Sequence, residues 1–298
     1  MKRLLRWLAY GLTGVAGLVL LAVLTVYVWS EAILRRTWQA EPQPVATAPP
    51  ALVAQGHRLA RLHGCLSCHG KGLTGNDLFD APAVGVIFAP NLTQLARRRS
   101  DEELTIAIRQ GIGPGGRGLL FMTSAVHART TPEETAALIA WIRSLPVREG
   151  EAKTLRLALV GRLMLILGDI RLQPEAVKQY RTQMPVDLGP AHALGRHLAA
   201  TICAECHGPD LSGGMTPMAD FNPSFGRPYN LPPALDIVRA YDLESFRTLM
   251  RTGVPPGGRD LGMMSEVARN DLSHFTDEEI AALHAYLVAR AQLPPKPG

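Results

Sequence analysis

No cysteine in this 298-residue chain lies outside two short motifs, so no pair is left over for a separate disulfide framework. Long runs of one charge are also missing. The sharpest is Arg97-Arg98-Arg99, which has no aromatic interleaving and reads as a solvated surface ahead of a helix. With a net charge of only +5, nucleic acid is excluded as an expected partner. Charged residues make up 19% of the chain against 47% hydrophobic ones, which rules out disorder and hints at a membrane segment. The most telling absence runs from Trp7 to Ser30, where no charged residue occurs.

That uncharged stretch is long enough, at about 1.5 Å per residue, to cross a hydrocarbon core of about 30 Å. Trp7 and Tyr10 mark one end and Tyr27 and Trp29 the other, as interface anchors do. A cleavable signal has a shorter apolar core followed promptly by small residues, whereas Trp29, Glu31 and Ile33 follow here. An uncleaved anchor over residues 1–38 is expected, with membrane lipid as its partner. Residues 39–52 are proline-rich and read as an extended spacer that holds the following domain clear of the lipid.

The cysteines occupy Cys65-Leu66-Ser67-Cys68-His69 and Cys203-Ala204-Glu205-Cys206-His207. A thioredoxin-like redox pair would sit near a βαβ pattern, and no strand-like alternation surrounds either motif. A zinc site would need the two pairs much closer than the 138 positions between Cys65 and Cys203. The immediate histidine is what covalent haem attachment requires. Cys65, Cys68, His69, Cys203, Cys206 and His207 are therefore the expected cofactor-binding residues.

The body of the chain is an internal repeat. Gly56-His57-Arg58-Leu59-Ala60 precedes the first motif and Gly195-Arg196-His197-Leu198-Ala199 the second. Gly70, Leu73 and Gly75 follow one, Gly208, Leu211 and Gly213 the other, and Pro114-Gly115-Gly116-Arg117 recurs as Pro256-Gly257-Gly258-Arg259. A middle helix opens at Ser100 and closes at Gly111 in one half, and runs from Asp242 to Gly253 in the other. Each half ends on a helix with a capping box, Thr131 to Glu134 and Thr276 to Glu279. Trp141 and Tyr286 both stand ten residues after the capping threonine, as packing aromatics. Between the halves, Leu155 to Leu167 reads as an apolar helix broken by Arg162, too short and charged to span a membrane; core packing is expected, with the membrane surface as the alternative.

An early Cys-x-x-Cys-His, three helices and a methionine after a glycine-rich loop resemble class I cytochrome c, over residues from about 50 to 146 and about 188 to 291. With the anchor and Ala89-Pro90-Asn91-Leu92-Thr93, the chain resembles the cytochrome subunits of bacterial alcohol and aldehyde dehydrogenase complexes. The resemblance implies an all-α fold: an N-terminal transmembrane helix, then two tandem class I cytochrome c domains at 53–147 and 188–298, joined by a helical linker at 148–187. It implies two covalently attached haem c groups, each iron held by the motif histidine and a distal methionine.

For the first iron that pair is His69 and Met122, the only methionine between Met1 and Met164, with His127 a weaker substitute. For the second it is His207 and Met264, reached by aligning the two Pro-Gly-Gly-Arg turns; Met263 is the competitor, and Met215, Met218 and Met250 are packing or loop residues. Arg117 and Arg259 are within plausible reach of a propionate or else lie on the surface, and Asn91 and Asn230 would bond a propionate or turn backbone. The expected role is electron transfer without bond chemistry, on the periplasmic side of the bacterial cytoplasmic membrane, between a dehydrogenase and the respiratory chain. A terminal-oxidase subunit and a peroxidase-like di-haem enzyme are the alternatives.

Overall fold

In a computed structural model, residues 2–44, 49, 51–150, 153–214 and 231–294 are described. Met215, Met218 and Asn230 lie outside them. The chain opens with a single long helix, α1 (Lys2–Leu34), whose side chains are nearly all exposed apart from the buried Ser30. It is long and apolar enough to cross a membrane.

The first half follows as α2 (Ala51–Leu62), α3 (Cys65–His69), a hairpin β1 (Asn76–Ala81) and β2 (Gly85–Ala89), then α4 (Leu92–Arg98), α5 (Asp101–Gln110), the short α6 (Ser124–His127) and α7 (Pro132–Ser144). The linker adds β3 (Arg156–Leu157), α8 (Leu159–Leu167) and α9 (Gln173–Thr182). The second half contains α10 (Ala193–Leu198), α11 (Ala204–His207), α12 (Leu243–Thr252), α13 (Met263–Asn270) and α14 (Asp277–Ala291). The predominantly helical class is as expected. The small antiparallel sheet, ordered β1-β2-β3, is not. Asn76 and Asp77 give β1 no strand-like composition, and a register shift between Asp77 and Phe79 breaks its alternation.

Local chemistry sets the helix ends. Ser100 and Glu103, Thr131 and Glu134, and Thr276 and Glu279 form complete capping boxes, each satisfying two backbone donors. Asp242 caps α12 by accepting from the Ser245 amide, and Gly111 and Gly253 end α5 and α12 in the left-handed conformation.

In each half the first and last helices cross where a glycine removes the side chain between them. A Cβ at Gly56 would stand 2.0 Å from the Ala137 carbonyl oxygen, and one at Gly195 would stand 2.1 Å from that of Ala282. Trp141 and Tyr286 flank these crossings, and both are buried. Around them close two apolar cores, one containing Leu59, Leu104, Leu138 and Ile142, the other Leu198, Phe246, Ile280 and Leu283. Each such side chain contributes about 1.5–3 kcal/mol on leaving water.

The residues leading into the proline-rich segment, and Glu41 within it, make fixed contacts with the first half. The Trp38 amide donates to Gly116 O at 2.7 Å, Thr37 bridges Arg117, and Glu41 exchanges backbone bonds with the Gln110 side chain at 2.9 and 2.6 Å. Arg36 pairs with Glu175 and lies over the Trp38 ring, at 3.0 and 4.3 Å. The foot of α1 is thus fastened to the first half. Extended backbone finds such partners through position, which sequence composition does not show.

Candidate haem sites

Each motif begins a tightly wound segment that turns its histidine inward. After α3 the chain reverses through Gly70, and the Gly75 amide donates to His69 O at 3.0 Å; in the second half Gly213 donates to His207 O at 2.8 Å. Leu73 and Leu211 are the only non-glycine residues with positive φ among the described residues, at 54° and 67°, and both are fully buried. A strained backbone position is occupied by a leucine in both halves because its side chain plugs the core there.

The two histidines are held alike. His69 Nδ1 donates to the Pro90 carbonyl at 2.8 Å and His207 Nδ1 to the Pro233 carbonyl at 2.8 Å. That bond selects the tautomer whose Nε2 carries a lone pair, and Nε2 of neither ring has a hydrogen-bond partner among the described residues. Burial depresses both pKa values, opposed by the proline carbonyl bond, so both rings are neutral donors fit for iron.

The thiols point the same way. Burial first, then neighbouring Cys68, Glu205 and Asp271, pushes Cys65 up to about 12; burial alone does the same for Cys203. Cys68 rises to about 12 and Cys206 rises as well. Disulfide-exchange cysteines need the opposite shift. Among the described residues no cluster of three or more His, Cys, Asp or Glu could hold a metal ion unaided.

The halves meet about a local two-fold axis, visible as reciprocal bonds between counterpart residues. Arg58 of α2 donates to both carboxylate oxygens of Glu279 at 3.0 and 2.7 Å, while its counterpart His197 reaches both oxygens of Glu134, the counterpart of Glu279, at 2.8 and 3.0 Å. The helices that lead into the two motifs are therefore each tied to the last helix of the other half. His63, two residues before the first motif, is buried with its ring 5.1 Å from that of His127, and its Nδ1 has no hydrogen-bond partner among the described residues. Ser67 inside the first motif bonds both oxygens of Asp271 in the second half, at 2.9 and 3.0 Å. Its counterpart Glu205 is half-buried and lines a small cavity with Ala125 and Val126 of the first half, and desolvation followed by Asp271 raises its pKa to about 7.

A sequence profile of the cytochrome c family matches residues 53–146 and 192–290, the two halves that carry this geometry. The chain belongs to the cytochrome c family. As a cytochrome c it is expected to carry covalently bound haem c. Similar proteins include the gluconate 2-dehydrogenase cytochrome c subunit of Pantoea cypripedii, 26% identical over 80% of this chain and 60% of its own length. The cytochrome c subunit of the quinone-type alcohol dehydrogenase of Gluconacetobacter polyoxogenes is 25% identical over 84% and 58%. The fructose dehydrogenase cytochrome subunit of Gluconobacter japonicus is 27% identical over 85% and 55%. The chain spans less than two thirds of the length of these relatives.

The distal sides of this cytochrome differ between halves. Met122 lies half-buried in the bend before α6, whereas Met264 is the second residue of α13 and packs against the second core. Buried serines follow: Ser124 Oγ donates to Ala107 O and Ser265 Oγ to Gly253 O, at 2.9 and 2.6 Å. Aligning these serines sets Met122 against Met263, one residue from the match that the Pro-Gly-Gly-Arg turns give. Met250 is a buried core residue. Arg117 and Arg259 are exposed. Asn91 serves turn backbone: its Oδ1 accepts from the Gln94 amide and its Nδ2 donates to Arg148 O.

Sequence reading missed the axis residues. The repeat had already matched Arg58 with His197 and Glu134 with Glu279, but only the fold shows that each contacts the other half's partner. The acidic Glu205 inside a haem motif was the one local hint.

Proposed function

We propose that the chain is a membrane-anchored di-haem cytochrome that passes electrons from a dehydrogenase toward a respiratory chain, its domains facing the periplasm. The observation that carries this reading is the reciprocal bonding of the two halves, Arg58 to Glu279 and His197 to Glu134, which ties together the helices leading into two equivalent motifs and suits a relay across the domain interface. Bound haem supplies a one-electron iron couple. The protein contributes the rest: thioether attachment through Cys65 and Cys68, and through Cys203 and Cys206; a fixed imidazole tautomer at His69 and His207; and an apolar, water-poor surround that tunes potential. The names of the relatives support a dehydrogenase as donor.

Met122 and Met264 are the proposed distal ligands, which would leave no open coordination position for substrate. One observation favours a second arrangement at the first site. His127 is buried, its Nδ1 donates to Thr123 O at 2.7 Å, and its buried Nε2 lacks a partner, the same tautomer as His69. Met122→Ala and Met264→Ala, compared by axial-ligand spectroscopy and redox titration, test both arrangements. Loss of methionine ligation and a lower potential at one haem per variant is expected. An unchanged first haem in Met122→Ala would transfer the ligand role to His127. Purification in mild detergent, with identification of what accompanies the chain, tests the partner.

A further inference from the structure

Helix α8 lies against the outer end of α1. Arg162, its one charged residue, donates to Ser30 Oγ at 2.8 Å, reaches Glu31 Oε2 at 3.3 Å and stacks over the Tyr27 ring at 4.5 Å. The opposite half of the contact is apolar: Leu165 and Met164 pack with Ile33 and Leu34. These partners fix the height of α8, because Ser30 is the last residue of the uncharged stretch and Glu31 the first charge beyond it. The helix therefore sits level with the place where α1 would leave the hydrocarbon.

The face of α8 turned from the protein is wholly apolar. Leu159, Val160, Leu163 and Leu167 fall at helical spacing and are exposed, Leu167 to 74%. In water such a stripe is unfavourable, at about 25 cal/mol for each Å² of apolar surface. Arg162 does not oppose lipid contact, since α1 already neutralises and covers it.

We propose that α8 lies in the boundary between headgroups and acyl chains of the bilayer that α1 crosses, with Leu159, Val160, Leu163 and Leu167 inserted among the lipids. The proposal rests on the reading of α1 as a membrane anchor. It gives the first cytochrome domain two membrane contacts: the span, and a flat helix beside it. The core packing expected for this segment holds for its Leu165 face only.

The test uses the full-length, haem-loaded protein in lipid nanodiscs, with the motif cysteines taken up as thioethers. Nitroxide labels are placed singly at Leu18→Cys in the middle of α1, at Leu163→Cys and Leu167→Cys in α8, and at Val254→Cys in the second domain as an aqueous reference. Collision with oxygen, which concentrates in lipid, is compared with collision with a water-soluble nickel chelate. The expected result is an oxygen-to-nickel ratio several-fold higher at Leu163 and Leu167 than at Val254, with Leu18 higher still. If Leu18 is lipid-exposed while the α8 labels match Val254, the interfacial helix is overturned and the anchor stands. If Leu18 itself matches Val254, the anchor reading fails and takes the proposal with it. Labels on α8 shielded from both reagents would place a protein or a second copy there and overturn the lipid assignment.

Discussion

The two halves of this cytochrome are alike near their shared axis and unlike away from it. Close to the axis the glycine crossing, the left-handed leucine, the proline-bound histidine and the capping-box glutamate recur with distances that agree within a few tenths of an ångström. Away from it the first half has a sheet, the anchor foot and α9 packed beside its distal loop, whereas the second carries Met264 on a regular helix. Even the approach to the motif differs. His63 and Gly64 interrupt the chain between α2 and α3, while Ala199–Cys203 continue α10 into α11 as a π-helical turn. The features around each motif histidine are duplicated; those that meet the N-terminal helix and neighbouring segments are particular to each half.

Removing attachment chemistry gives the largest effect. On the di-haem reading, Cys203→Ala combined with Cys206→Ala should lower covalent haem from two per chain to one and unfold the second half, read by denatured-haem absorbance and limited proteolysis. The same pair of changes at Cys65 and Cys68 should do this to the first half. Retention of both haems in either variant would break the equivalence of the sites.

Next come the glycine crossings. Gly56→Val and Gly195→Val each force a side chain against a carbonyl about 2 Å away, so each should destabilise its own half by about 3 kcal/mol or more in denaturant unfolding. A cost confined to one variant would show that the crossings are not equivalent.

Arg129 sharpens the comparison by being asymmetric. It donates to the carbonyls of Ala200, Tyr180, Gln183 and Pro209, joining the first half to the linker and the second half, and it lies over the Tyr180 ring. His274, at the counterpart position, makes none of these bonds. Arg129→Ala should cost about 2–4 kcal/mol by stranding buried carbonyls. His274→Ala should cost well under 1 kcal/mol, measured as the difference in midpoint under identical conditions.

The last effect is absent at neutral pH and appears only in acid. Burial, with His127 adding to it, depresses His63 from 6.5 to about 3. The unfolded chain therefore binds a proton below pH 6.5 that the folded chain refuses. Stability contributed by the neutral ring is intact above 6.5 and declines as pH falls, by up to about 1.4 kcal/mol per unit. His63→Gln should flatten the acid limb of the stability profile between pH 6 and 4 by about one proton, whereas Thr201→Ser, at the counterpart residue, should leave its slope unchanged.

Much of this was legible in the residues. Thr131 with Glu134, Thr276 with Glu279, Gly111 and Gly253 are local signals whose geometry depends on a few neighbouring bonds, and they appear where the sequence set them. The haem motifs were equally plain. The sheet was not, because Asn76 and Asp77 hide a strand that pairing, rather than propensity, holds in place. The partners of Arg58 and His197 required knowing which half each side chain faces. Met263 and Met264 stayed ambiguous because the repeat slips by one residue between the Pro-Gly-Gly-Arg turn and the buried serine, so register alone gives two answers.

The fastening of Trp38 to Gly116 also changes how the cytochrome meets other proteins. A free proline-rich leash over residues 39–52 would let the first domain search a radius of about 40 Å above the membrane. A rigid joint removes that search. On the anchor reading, the first domain would keep a fixed height and bearing, and an electron partner would meet it in one orientation, as a plug meets a wall-mounted socket. Its rate of exchange would be governed by that partner's lateral arrival or permanent residence, with little contribution from motion of the cytochrome itself.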